Sequence, residues 1–225
     1  MGSGTTATVG ATINAAGDLV AIAAWCYSTC TPVSMTLGSQ TATKTSVSGL
    51  PGLGVNPDTG QGFIFYILSA AASGSQTINW TVTGAASSQT QVAYIDFAPS
   101  AGCVFTHHID SAVGSGTSGT ASAPSITPTA GDLLFNFTWV TEHVTDVNSP
   151  WSCTVYSGPG ETGDCSFNTT RNADAYILGA PSGSTANNMT MIHPSDSWQG
   201  LITSFSITSS VPPPSPPTGL AAFVQ

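Results

Sequence analysis

The sequence predicts an all-β chain, a pseudo-duplicated and jelly-roll-like β-sandwich with two halves of about six strands each. Three observations carry that expectation. Phrases recur in order at a nearly constant offset, apolar and polar residues alternate in short runs, and Gly, Pro, Ser and Asn punctuate those runs. Period-two alternation turns one face of a strand toward a core. Turn signals at roughly 8–15-residue intervals are what sandwiches and jelly rolls require.

The recurrence begins with "AGDLVAIAAW" (16–25) and "AGDLLFNFTW" (130–139), 114 residues apart. "YILSAAASGSQTINWTVTG" (66–84) is echoed by "YILGAPSGSTANNMTMIH" (176–193), offset by 110 at "YIL" and 109 at "SGS". "QVAYIDF" (91–97) answers "GLITSFSI" (200–207) in pattern. Ordered matches of this kind argue for internal duplication, with halves at about 5–100 and 118–210.

The duplication also decides an ambiguous element. "LVAIAAW" alone suits helix or strand, but its partner "LLFNFTWV" alternates Leu133, Phe135, Phe137 and Trp139 with Leu134, Asn136, Thr138 and Val140 after a Gly-Asp turn. That is a strand, and so is its counterpart, with Asp18 and Asp132 fixing the turns before them. The expected strands of the first half are 5–13, 18–26, 33–47 (broken), 62–69, 76–83 and 90–98. Those of the second half are 119–127, 132–140, 152–156, 173–179, 187–192 and 200–208. Residues 49–61 read as a surface loop, and no segment has helical periodicity. At the ends, residues 1–4 ("MGSG") read as an expression start, and "VPPPSPP" within 211–225 as a stiff extended linker.

Composition bounds the partners. Charged residues are 6% of the 225, far below the roughly 25% of ordinary domains, and Lys44 and Arg171 face eleven carboxylates for a net charge of −9. A phosphate backbone needs a basic footprint, so no nucleic acid is expected as a partner. No apolar run reaches the roughly 20 residues of a membrane span. Apolar residues at 40% suffice for a core. Of five cysteines, Cys26 with Cys30 and Cys153 with Cys165 are expected as local disulfides, leaving Cys103 over and implying an oxidising compartment.

The order of "AGDL"-hydrophobic-Trp, "YIL-x-A-x-SGS", a Thr-rich strand, "Y-x-D-F" and a second "AGDLLF" resembles secreted bacterial β-sandwich modules that sit beside fibronectin type III or immunoglobulin-like domains. The resemblance covers about residues 5–210. The closing "PPTGLAAFV" looks like the start of a further fibronectin type III-like domain. The resemblance implies a β-sandwich, a secreted or cell-surface location and a binding or structural role; it carries no catalytic residues.

The histidines break the repeat, since all lie in the connector or the second half. His107, His108, His143 and His193 have no histidine counterparts in the first half. A transition metal such as zinc or copper would want three imidazoles, making His107, His108 and His143 the candidate ligands, although neighbours on a strand point to opposite faces. Glu161 and Asp164 lie in the Gly-rich loop between Cys153 and Cys165 and could hold calcium. The hydrolase elbow G-x-S-x-G and the zincin H-E-x-x-H are absent. Trp25, Trp80 and Trp139 read as core. Trp151 and Trp198 read as loop or edge positions, where rings stack on sugars, joined by Tyr27 and Tyr156 beside the two disulfides.

The expectation is a secreted, non-catalytic binding module for neutral polysaccharide. One alternative is a structural, adhesive or filament-forming module whose edge strands or apolar patches meet a neighbouring surface protein. The other is a metal-dependent polysaccharide-active enzyme.

Overall fold

A computed structural model describes residues 4–26, 30–46, 61–85, 90–153 and 166–209, with the backbone alone at residues 91, 141–143 and 166–172. Among the described residues the chain is all-β, without helix, and its sheets are antiparallel. The first stretch supplies β1 (Thr5–Ile13), β2 (Leu19–Cys26), β3 (Thr31–Leu37), β4 (Gln40–Thr41), β5 (Thr43–Lys44), β6 (Gln61–Ile67), β7 (Gly74–Thr83) and β8 (Thr90–Phe97). Then come β9 (Cys103–Asp110), β10 (Gly114–Thr117), β11 (Thr120–Ala121), β12 (Ser125–Ile126), β13 (Leu133–Val147), β14 (Ser152–Cys153), β15 (Ser166–Ile177), β16 (Thr185–Ala186), β17 (Met189–Met191) and β18 (Ser197–Ser209).

These strands stack in layers separated by three apolar cores. An outer sheet of order β1-β7-β3-β4 packs on a second sheet of order β5-β6-β2-β8 through Val20, Ile22 and Ala24 on one side and Met35, Ile78 and Trp80 on the other. The opposite face of that second sheet, with Leu19, Ala21, Ala23 and Trp25, packs on Leu133, Phe135, Phe137 and Trp139 of the large sheet β10-β18-β13-β15-β14. That sheet's far face, with Leu134, Val140 and Ile202, is covered by Ala121, Ile126, Met189, Trp151 and Trp198. Period two explains why β2 is buried along its whole length: each face of the strand belongs to a different core. Burying a Leu or Phe side chain contributes about 1.5–3 kcal/mol, and these two central strands supply eight such positions or their smaller equivalents.

Both "AGDL" corners are built alike. Gly17 (φ 98°) donates to Ala70 O at 2.8 Å, and Gly131 (φ 92°) donates to Ala180 O at 2.9 Å. A side chain is disfavoured at such φ, so glycine belongs there. Asp18 Oδ2 accepts the Ala15 N–H at 2.9 Å, and Asp132 Oδ2 accepts the Thr129 N–H at 3.0 Å. The registers agree as well. Val20 lies opposite Ile67 as Leu134 lies opposite Ile177, and Leu19 opposite Phe97 as Leu133 opposite Phe205.

The second stretch departs from expectation in three ways. The connector holds two strands, β9 and β10, both paired to β18. The strand expected at 132–140 runs on to Val147, and its end pairs with β17 (Val147 opposite Met189) as β3 pairs with β7 (Met35 opposite Trp80). In the first stretch the Cys26–Cys30 disulfide links the end of β2 to the residue before β3. The strand expected at 119–127 is broken into β11 and β12.

Candidate functional site

The site begins with β8. This strand ends its sheet, with β2 on one side and no strand on the other among the described residues. Its even side chains turn toward the outer sheet: Tyr94 Oη accepts the Thr12 N–H at 2.7 Å, and Asp96 Oδ2 accepts the Asn14 N–H at 2.7 Å. These two bonds occupy backbone donors at the end of β1, which is itself an edge. The odd side chains, Ile95 and Phe97, turn toward the large sheet, where Tyr176 meets Phe97 edge-on at 5.4 Å. Between the two walls the edge of β8 looks into an open cleft of about 430 Å³, closed below by Tyr176, Leu178 and Cys153. Leu178 is 65% exposed, although Leu68 at the matching "YIL" position packs against the central core. The lining joins aromatic rings, aliphatic groups and one carboxylate, which can bind a neutral, partly apolar chain.

The tryptophans expected at exposed positions are core residues, which corrects their sequence-based placement. Trp151 and Trp198 are 4% and 3% exposed. Trp151 Nε1 donates to Ala186 O at 2.8 Å and Trp198 Nε1 donates to Ser118 Oγ at 3.0 Å, so each buried indole is satisfied. Gly116, opposite Trp198 in the ladder, makes room for the ring: a Cβ there would lie 2.6 Å from the indole. Neither ring is presented for stacking on a sugar.

The histidines separate. His107 Nε2 lies 2.8 Å from Asp110 Oδ1, with its ring stacked on Tyr66 at 4.9 Å. His108 Nδ1 lies 2.7 Å from Asp132 Oδ2. Asp110 also accepts from the Thr203 hydroxyl and from the Ser46 backbone and hydroxyl, each at 2.7 Å. Burial pushes its carboxyl upward, but the bonds from His107, Ser46 and Thr203 outweigh burial and hold it below its ordinary value. Burial, with the Asp110 charge beside it, raises the Tyr66 hydroxyl. Asp174, in the central core beside Phe137, is pushed up by burial to about 7. Among the described residues no three His, Cys, Asp or Glu side chains group as metal ligands. The side chain of His143 lies outside those residues, as do Tyr27, Tyr156, Glu161, Asp164 and Cys165.

Cys26 and Cys30 form a disulfide, and Cys103 is free. Cys153 is disulfide-bonded, and its expected partner is Cys165. No described helix is long and apolar enough to cross a membrane. Sequence reasoning missed the β8 cleft because its walls come from β1, β8, β14 and the end of β15, which no local pattern connects. The one available signal was the exposed leucine in the second "YIL". Set against models of known protein families, curated proteins and solved structures, the chain matches none of them.

Proposed function

We propose that this chain is a non-catalytic binding module of the cell exterior, built from two duplicated halves, with its ligand face at the β8 cleft. The observation that carries the reading is an asymmetry between matching strands. β18 occupies in the large sheet the place that β8 occupies in its own, and β18 is covered by β9 and β10 while, among the described residues, no strand lies beside the outer edge of β8. The matched corners, registers and sequence offsets support the duplication. The disulfide suits an oxidising, extracellular setting.

Of the two binding readings, the adhesive one, in which an edge strand meets a neighbouring surface protein, is favoured by the end position of β8 in its sheet among the described residues. The neutral-polysaccharide reading loses Trp151 and Trp198 to the core and rests on Tyr94 and Tyr176 in the cleft. A metal-dependent polysaccharide-active enzyme gains nothing from two histidines held by different carboxylates on opposite faces of β9. Calcium at Glu161 and Asp164 stays a proposal for the loop after Cys153.

The test is amide chemical-shift mapping of the intact chain with two probes, a neutral glucan oligosaccharide and a short extended peptide. The reading expects at least one of them to perturb Tyr94, Ile95, Asp96 and Leu178 together. Perturbations confined to other surfaces would contradict it.

A further inference from the structure

We propose that a pocket at the crossing from β4 to β5 binds a small organic carboxylate with an apolar body, its charge held by Lys44. The pocket lies at the opposite end of its sheet from β8, so the proposal stands apart from the binding reading of the β8 cleft.

The chain passes from the outer sheet to the second sheet between β4 and β5, and a pocket of about 200 Å³ opens there. Its lining includes Pro32, Val33, Met35, Ala42, Lys44 and Phe65. Two local features build it. Pro32 lies opposite Val82 and Ser34 opposite Thr81, so Val33 is an extra residue in the β3 ladder. Such a bulge bends its strand, and Val33 is left 60% exposed at the pocket. Lys44 of β5 lies opposite Phe65 of β6. Opposed residues share a face, so the lysine stem lies on the side that carries Phe63 and Phe65 into the first core.

A lysine on the core side of an edge strand needs a reason. The Lys44 ammonium lies 6.0 Å from the centroid of the Phe63 ring and, among the described residues, makes no ion pair. It is one of two cations in a chain with eleven carboxylates. An inward lysine can serve only to deter pairing with another sheet, but that role has no use for a pocket. The surroundings are rich in donors. The ammonium has three and no acceptor. Trp80, fully buried opposite Met35 and 6.2 Å from the Phe63 ring, holds an indole N–H with no acceptor. Donors beside an apolar pocket suit an acceptor that brings its own apolar body. A cavity of about 150 Å³ takes benzene, so this one takes a single ring or a short branched chain with its carboxylate on Lys44. The net charge of −9 opposes anions at large, which favours a monoanion over any polyanion.

The probe is phenylacetate, and the reporter is the Met35 methyl group in the intact chain with isotopically labelled methionine. Met189 and Met191 lie in a different core and serve as internal references. Phenylacetate should shift the Met35 methyl signal with half-saturation below about 1 mM at low salt. The neutral phenylacetamide should bind about fivefold more weakly, and added salt should narrow that gap. Lys44→Gln, a change at an exposed position, should bring the two probes within about twofold of each other, and Lys44→Arg should restore most of the difference. No shift of Met35 at about 10 mM phenylacetate would overturn the proposal and leave Lys44 as an edge guard. Equal binding of acid and amide to the parent chain, or a preference that survives Lys44→Gln, would overturn it too. So would shifts of Met189 and Met191 as large as that of Met35, since binding would then be unselective.

Discussion

The Tyr66 ring meets Phe205 edge-on, 5.3 Å between centroids and 74° between planes, and the same contact recurs with the halves exchanged: Tyr176 meets Phe97 at 5.4 Å and 69°. Each tyrosine is the first residue of a "YIL" phrase, and each phenylalanine lies opposite the leucine of an "AGDL" phrase. Reciprocal contacts of this kind are what the proposed duplication would produce. They join the two central sheets at matching corners of one core.

Truncating either pair should therefore hurt alike. Phe205→Ala and Phe97→Ala each remove a ring from a close-packed core and should cost about 3–5 kcal/mol in urea denaturation. Double-mutant cycles should give coupling of about 0.5–1.5 kcal/mol for both Tyr66–Phe205 and Tyr176–Phe97. Coupling in one pair and none in the other would contradict the reciprocal arrangement.

Trp151→Ala and Trp198→Ala should each lower stability by about 3–5 kcal/mol, because each removes a buried indole together with a satisfied N–H. A thermal midpoint that hardly moves would return these rings to the surface and revive them as stacking platforms.

Much of the first half is legible in the sequence: 5–13, 18–26 and 90–98 are expected, and Thr5–Ile13, Leu19–Cys26 and Thr90–Phe97 are found. Short strands bounded by Gly and Asp leave a local record. The second half is less legible for physical reasons. "VFTHHID" alternates poorly and reads as connector, yet β18 recruits it as β9. "VTEHVTDV" is polar and carries no cysteine pair like Cys26–Cys30 between its strands, and one strand crosses between layers. Trp198 sits in "HPSDSWQG", a polar setting whose burial depends on Gly116, about 80 residues away.

Asp110 predicts an acid-sensitive junction. Its folded pKa lies below the unfolded value, so its contribution is fully present above about pH 3.9 and is lost as pH falls through the lower folded value. Asp110→Asn should flatten the acid limb of stability against pH and loosen Ser46 from β9. An unchanged acid limb would show that the bonds from Ser46, His107 and Thr203 do not favour the carboxylate.

Asp174 predicts the opposite slope. Its folded pKa is raised to about 7, so its contribution is complete below the unfolded value and is lost as pH rises toward 7. Asp174→Asn should therefore stabilise the chain at pH 8 by on the order of a few kcal/mol, and much less at pH 4. A variant equally or less stable than the parent at pH 8 would mean that the buried carboxylate is well accommodated.

Aromatic NOEs read the reciprocal packing of Tyr66 on Phe205 and of Tyr176 on Phe97 without intermediaries. In a sample with selectively labelled Tyr and Phe rings, cross-peaks of similar intensity are expected between Tyr66 and Phe205 and between Tyr176 and Phe97. A spectrum with only one of the two, or with neither while each sheet stays folded, would contradict it.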